Sequence, residues 1–256
     1  MPKIKTVHGT ENRKVVSQKE WISARKKLLL KEKKFSKLRD ELNLERRKLP
    51  WVKVEKDYIF DGPTGKVTLG DLFCRKSQLI IYHFMFGPGW KEGCPSCSFL
   101  ADAFDSFGIH LAQRDTAFVA VSRATLPEIE AFKKRMGWKF KWVSSNGSDF
   151  NYDYNVSFTN EQVSGGKPNY NYETIPAYGE EVPGASAFIK KDGNVFHTYS
   201  TYARGLDILL PMYNWIDLTA KGRDEAEIKP HAMAWVRHHD RYSDGKMVDI
   251  GKLIAK

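Results

Sequence analysis

Residues 78–86 form a nearly continuous apolar run, Gln78-Leu79-Ile80-Ile81-Tyr82-His83-Phe84-Met85-Phe86, that predicts a buried strand broken by Gly87-Pro88-Gly89. Apolar residues at helical spacing resume at 98–104, and Ala117 to Val121 predicts a second buried strand. An amphipathic helix is expected over 126–136, opened by Thr125, with Pro127 in its first turn and Gly137 closing it; a short strand at 140–143 follows. Upstream, residues 51–56 alternate, 58–60 continue, Asp61-Gly62-Pro63-Thr64-Gly65 turns and 66–69 returns, which is a hairpin pattern. Residues 70–73 read as a short helical turn. Downstream, 185–189 and 194–199 flank Asp192-Gly193, a strong hairpin signal, and a helix is expected over 205–219.

Two segments break this rhythm. Ser17-Gln18-Lys19-Glu20 is a capping box, and no Gly or Pro intervenes before Pro50, so residues 17–48 predict one long helix or two consecutive ones. Trp21, Leu28 and Leu29 mark one face, and Phe35, Leu38, Leu42 and Leu49 continue it. So thin a stripe must dock on the body or on a partner subunit, and a homodimer through this arm is the expectation. Residues 144–181 follow neither period. They are rich in Asn, Tyr, Ser and Gly, and too aromatic for a disordered tract, so a long ordered insertion is expected. The chain thus divides into a helical arm (1–50), a domain (51–224) carrying the insertion (144–181), and a tail (225–256).

At 256 residues and 41 % hydrophobic content the chain can bury a substantial core, and no apolar stretch reaches the length of a membrane span. The first residues lack the apolar core of a secretion signal, and three cysteines exclude a disulfide scaffold, so a reducing cytoplasm is the expected compartment. The net charge of +10 is unevenly placed: residues 1–56 carry +11 and the other 200 sum to −1. A basic arm suits nucleic acid or an acidic surface. Acidic residues at helical spacing interrupt it, however, and favour the solvated face of an ordinary helix over a nucleic-acid contact.

Cys94-Pro95-Ser96-Cys97 carries the chemistry. A C-x-x-C between strand and helix places the first sulfur at the positive end of a helix dipole, which lowers a thiol pKa. The second sulfur lies one turn in, close enough to close a disulfide. Such a pair suits a dithiol oxidoreductase without a prosthetic group, with Cys94 as nucleophile and Cys97 resolving. Alternatives are half of a zinc site, completed by Cys74 or scattered histidines, and two buried inert cysteines. Lys91 favours a thiolate and Glu92 opposes it. Trp90 offers an apolar wall near the sulfurs or packs in the core, and His83 fits a hydrogen-bonded core histidine better than a base. Phe150 and Tyr152 lie in the part of the insertion best suited to bind substrate or a partner.

The order hairpin, β, α, β, α, short β, insertion, β-hairpin, α describes a central mixed α/β sheet flanked by helices, with C-x-x-C at the first helix: a thioredoxin-like order. The strings Leu49-Pro50-Trp51-Val52, Phe84-Met85-Phe86-Gly87-Pro88-Gly89-Trp90, Gly93-Cys94-Pro95-Ser96-Cys97, Arg135-Met136-Gly137-Trp138 and Gly147-Ser148-Asp149-Phe150-Asn151 resemble the DUF899 group of bacterial thioredoxin-like proteins. The resemblance runs over nearly the whole chain and implies a fold without an assigned reaction. Thioredoxins carry Trp before the first cysteine and Pro before the second. Here Gly93 precedes Cys94 and Pro95 follows it, as in the C-P-x-C of glutaredoxins. The superfamily also places a cis-proline beside the motif, just before a strand. Pro183 is the candidate for that substrate-docking position, although Gly184-Ala185-Ser186 separate it from the apolar run at 187–189. The implied substrate is a protein or small-molecule disulfide. Two readings compete with it: a non-catalytic binding module of this fold, and a peroxiredoxin-like attack on peroxide, for which residues 87–92 supply no hydroxyl.

Overall fold

The computed structural model describes residues 13–176 and 179–242, so the first residues of the arm and the end of the tail lie outside the described residues. A 31-residue helix, α1 (Gln18–Lys48), leads into β1 (Val52–Lys53) and a hairpin of β2 (Ile59–Gly62) and β3 (Gly65–Thr68). Next come β4 (Gln78–His83), α2 (Pro95–Ala101), α3 (Phe104–Gln113), β5 (Thr116–Ser122), α4 (Leu126–Met136) and β6 (Trp142–Ser144). The insertion holds α5 (Phe150–Asp153), α6 (Asn160–Ser164) and a small hairpin of β7 (Asn169–Tyr170) and β8 (Glu173–Thr174). The long hairpin β9 (Gly184–Lys191) and β10 (Asn194–Tyr202) follows, then α7 (Pro211–Ile216).

Eight strands form one sheet in the order β1-β10-β9-β4-β5-β6-β2-β3. β4 runs parallel to β5, with Gln78 opposite Thr116 and His83 opposite Val121, because the α2–α3 crossover separates them. β9 runs antiparallel to β4 and to β10. A parallel βαβ pair flanked by an antiparallel hairpin and followed by a helix, in the strand order β10-β9-β4-β5, is the thioredoxin-like core. β1, β6 and the β2–β3 hairpin widen it at both edges.

Period-two alternation divides the core into two faces. Tyr82 and Phe84 join Cys97, Leu100, Phe104, Phe132 and Trp142 under α2, α3 and α4. Leu79 and Ile81 join Val119, Val121, Phe60, Phe150 and Phe188 on the opposite face. Two expectations change here. The helix expected over 205–219 is a 3-10 segment (Ala203–Leu209) followed by the short α7, and α2 and α3 are separated at Asp102–Ala103. The first turn of α1 is the expected capping box, with Glu20 N–H donating to Ser17 Oγ and the Glu20 carboxylate accepting from Ser17. Residues 18–48 form a single helix, and none of the helix's residues is buried on its own body.

Candidate functional site

Cys94 sits at the N-cap of α2 with Pro95 at the first helical position, where a fixed φ and a missing N–H cost nothing. Its own N–H donates to Met85 O at 3.0 Å, which ties the motif to the end of β4. Ser98 returns two bonds to the Cys94 carbonyl, from N–H at 2.9 Å and from Oγ at 3.0 Å. Cys94 is half-buried and Cys97 buried, both as free thiols, whereas Cys74 is exposed.

The two sulfurs lie in opposite electrostatic environments. The Cys97 thiol faces Cys94, and the N–H groups of Cys97 and Ser96 with the Ser96 hydroxyl stabilise charge on it. Against the cost of burial, they bring the Cys94 pKa down to about 7. Burial and the neighbouring Cys94 push the Cys97 thiol well up, opposed only by the Tyr82 hydroxyl and the Met85 N–H. That N–H lies 3.5 Å from Cys97 Sγ. The surroundings therefore favour charge on Cys94 and disfavour it on Cys97.

The loop before Cys94 is held from outside by one face of α4. Glu128, Phe132 and Arg135 stand four and three residues apart and share that face. Glu128 accepts from Gly89 N–H at 3.0 Å and Arg135 grips Glu92 at 2.6 Å. A β-carbon at Gly93 would come within 2.6 Å of the Phe84 ring and 2.8 Å of the Phe132 ring, so only glycine lets the loop pass. The tail closes the other side. His238 is buried, and its Nε2–H donates to the Gly93 carbonyl at 2.8 Å while Nδ1 accepts from Arg135 at 3.3 Å. A carbonyl can only accept and a guanidinium only donate, which assigns the tautomer. Asp240 and Arg241 complete the network on Arg135 and Glu92, and Trp235 packs on Phe99 of α2.

This changes the role expected for Glu92. Its carboxylate is paired with Arg135 and Arg241, and those contacts lower its pKa despite burial, so its charge is spent on the loop's anchors. No sequence signal marked the 235–242 segment as part of the site, since a buried histidine in a polar tail has no periodic partner.

The remaining candidates are not brought together. Trp90 is 37 % exposed, and its indole folds back over Gly87. Phe150 is a correction: it is fully buried on the face opposite α2, edge-on to Tyr58 and Phe60 and stacked near His83. It supports the sheet and offers nothing to a substrate. Tyr152 is half-buried, and its hydroxyl is taken by Arg123. From the insertion, Tyr170 is buried, which together with the nearby Cys97 raises its pKa, and its hydroxyl donates to Pro183 O at 2.7 Å. Pro183 directly precedes β9, where a docking proline belongs, but its peptide bond is trans; among the described residues only Lys229–Pro230 is cis. The insertion therefore contacts the residue that precedes β9 through Tyr170 and places Phe150 in the far core.

His83 is the expected core histidine. It is buried, hydrogen-bonded to Ser186 Oγ at 2.8 Å, and desolvation lowers its pKa to about 3. His197 bonds Ser200 Oγ and Arg204 pairs with Asp207, and neither is placed at the dithiol. Among the described residues no group of three or more His, Cys, Asp and Glu side chains is arranged to hold a metal.

The model of a family described as a bacterial protein of unknown function, DUF899, matches residues 10–242. The chain belongs to the DUF899 family. No curated protein matches it. Among solved structures it is similar to a mutant form of peroxiredoxin Q from Xanthomonas campestris, at 12 % identity over 65 % of this chain and 98 % of that one, with a TM-score of 0.45. It is also similar to the peroxidoxin BcpB of Mycobacterium tuberculosis, at 13 % identity, 66 % and 97 % coverage and a TM-score of 0.42. A putative protein disulfide isomerase from Bacteroides thetaiotaomicron matches at 17 % identity, 65 % and 91 % coverage and a TM-score of 0.37. Among the described residues of this DUF899 chain no helix is long and apolar enough to cross a membrane.

Proposed function

We propose that this DUF899 protein is a thiol–disulfide oxidoreductase working through Cys94 and Cys97. The observation that supports it most is the opposite tuning of the two sulfurs, with Cys94 lowered to about 7 at the start of α2 and Cys97 raised behind it. In the reducing direction the Cys94 thiolate attacks one sulfur of a substrate disulfide. A Cys94–substrate disulfide forms and one substrate thiolate leaves. Cys97 then attacks Cys94 Sγ, the mixed disulfide breaks, and the second substrate thiolate departs with the proton Cys97 gives up. The Cys94–Cys97 disulfide that remains is returned to the dithiol by an external thiol reductant.

Protein or small-molecule disulfides are the substrates of this reading, and a reducing cytoplasm is the compartment that resets the pair. Attack on a peroxide has less support, because Arg135, the arginine that grips the loop before Cys94, is committed to Glu92 and Asp240.

The pH dependence tests the tuning. A thiol lowered from 9.0 to about 7 is half ionised at neutral pH, so alkylation of Cys94 should rise through an inflection near pH 7. An ordinary cysteine would inflect about two units higher. Set against the weaker nucleophilicity of a low-pKa thiolate, the net gain at pH 7 is about sixfold. Mass spectrometry of iodoacetamide-treated protein separates Cys94 from the exposed Cys74. An inflection at pH 8.5 or above for Cys94 contradicts the proposal.

A further inference from the structure

Two apolar features have no partner among the described residues. The first is α1. Trp21, Leu28, Phe35 and Leu42 recur every seven residues and Leu49 continues the series just past its end, an apolar seam along one side of the helix. All five are exposed, Phe35 at 67 %. Among the described residues the arm meets its own body near its C-terminal end, where Arg46 lies over the Tyr199 ring at 4.6 Å.

The second is a cavity of about 320 Å³ between α2, α3, β4, β5 and residues 208–214. Tyr82, Leu100 and Phe104 line its depth, and Ile208 and Leu209 stand at its mouth, 55 % and 43 % exposed. Its only side-chain polar groups are the Tyr82 hydroxyl, which is turned to Cys97, and Asn214. Nothing in the lining selects a charged ligand. The volume is about twice that of a cavity that holds one benzene, enough for a large aromatic side chain with part of its neighbour.

We infer that the two features are halves of one interface, with the arm of each chain laid over the cavity of a second copy. Charge favours this over pairing of the two arms. Residues 18–48 carry +7, so arm against arm sets +7 on +7, whereas residues 57–256 sum to −1. The area is sufficient. A 31-residue helix is about 46 Å long and, at a width of about 10 Å, covers roughly 460 Å². Each protomer takes part in two such contacts, which reaches the ~800 Å² per partner of a stable complex. Reciprocal exchange, in which two chains each lay an arm on the other about a two-fold axis, closes at two copies and leaves neither surface open for a third.

The test uses the full chain and its mass by light scattering after size exclusion. Variants are placed on exposed side chains so that the fold is kept, which circular dichroism checks. The arm variant is Leu28→Glu with Phe35→Glu; the cavity variant is Ile208→Lys with Leu209→Lys. The parent should be a dimer, and each variant should dissociate with a Kd raised by about 100-fold or more. Mixing the two variants should restore a heterodimer, since an intact arm then meets an intact cavity once. A monomeric parent overturns the inference. A cavity variant that stays dimeric overturns it in favour of arm–arm pairing, and a mixture that stays monomeric overturns the reciprocal exchange.

Discussion

Cys94→Ser should abolish disulfide reduction, a loss of roughly 10³-fold or more, because a serine hydroxyl is not ionised where a thiol of pKa about 7 is. Cys97→Ser should behave differently. The first attack still occurs, no second sulfur resolves it, and a mixed disulfide between Cys94 and substrate accumulates, visible as a mass adduct that dithiothreitol removes. Cys74→Ser should leave turnover unchanged, since Cys74 is exposed at the end of the short 3-10 turn and is not placed at α2. Reduction of insulin or of a small aromatic disulfide measures all three. Full activity in Cys94→Ser contradicts the enzymatic reading.

Arg123→Ala should be among the most destabilising single changes in the molecule. Arg123 follows β5 directly, and its side chain is almost wholly buried against Glu181, with Nε 2.6 Å from Oε1. Glu181 also accepts from Ser157 Oγ at 2.8 Å, yet burial still raises its pKa. Removing the guanidinium leaves a buried carboxylate without its counter-charge, which costs about 3–5 kcal/mol. The pH dependence has a defined sign. A carboxyl whose folded pKa is raised binds its proton more tightly in the folded state, so its contribution is greatest below the unfolded value and is lost as pH rises through the folded one. The variant should therefore fall further below the parent at pH 8 than at pH 5 in urea melts. An equal deficit at both, or none, would place the pair outside the core. The same residue holds the Tyr152 hydroxyl, and the next one, Ala124, donates its N–H to Phe86 O at 2.7 Å, so activity should be measured alongside stability.

Much of this was legible in the sequence where local physics dominates. The apolar runs at 78–86 and 117–121, the Asp192-Gly193 turn, the capping box at Ser17 and the N-cap at Thr125 act within a few residues, and the elements stand where those signals put them. The dithiol was legible because strand, breaker and helix are contiguous. What failed needed knowledge of which face a residue joins. Phe150 lies in a polar, aromatic stretch that looks like a binding loop, but a four-residue helix turns it under the sheet beside Tyr58 and Phe60. Whether Pro183 is cis was not readable from the sequence, and its peptide bond is trans. The anchors of the Cys94 loop were invisible for another reason. Gly93 meets Phe132 across 39 positions and His238 across 145, and neither contact leaves a periodic trace.

Cys94 and Cys97 should behave as one reversible couple. Equilibration of the full chain in glutathione buffers of graded potential, followed by acid quench, alkylation and intact mass, reads it directly. The expected result is a single two-electron transition in which the dithiol species, alkylated at both residues, gives way to a species alkylated at neither, with Cys74 alkylated throughout. Persistence of both free thiols across the whole range, or loss of Cys94 to glutathione adducts without a Cys94–Cys97 bond, would contradict it.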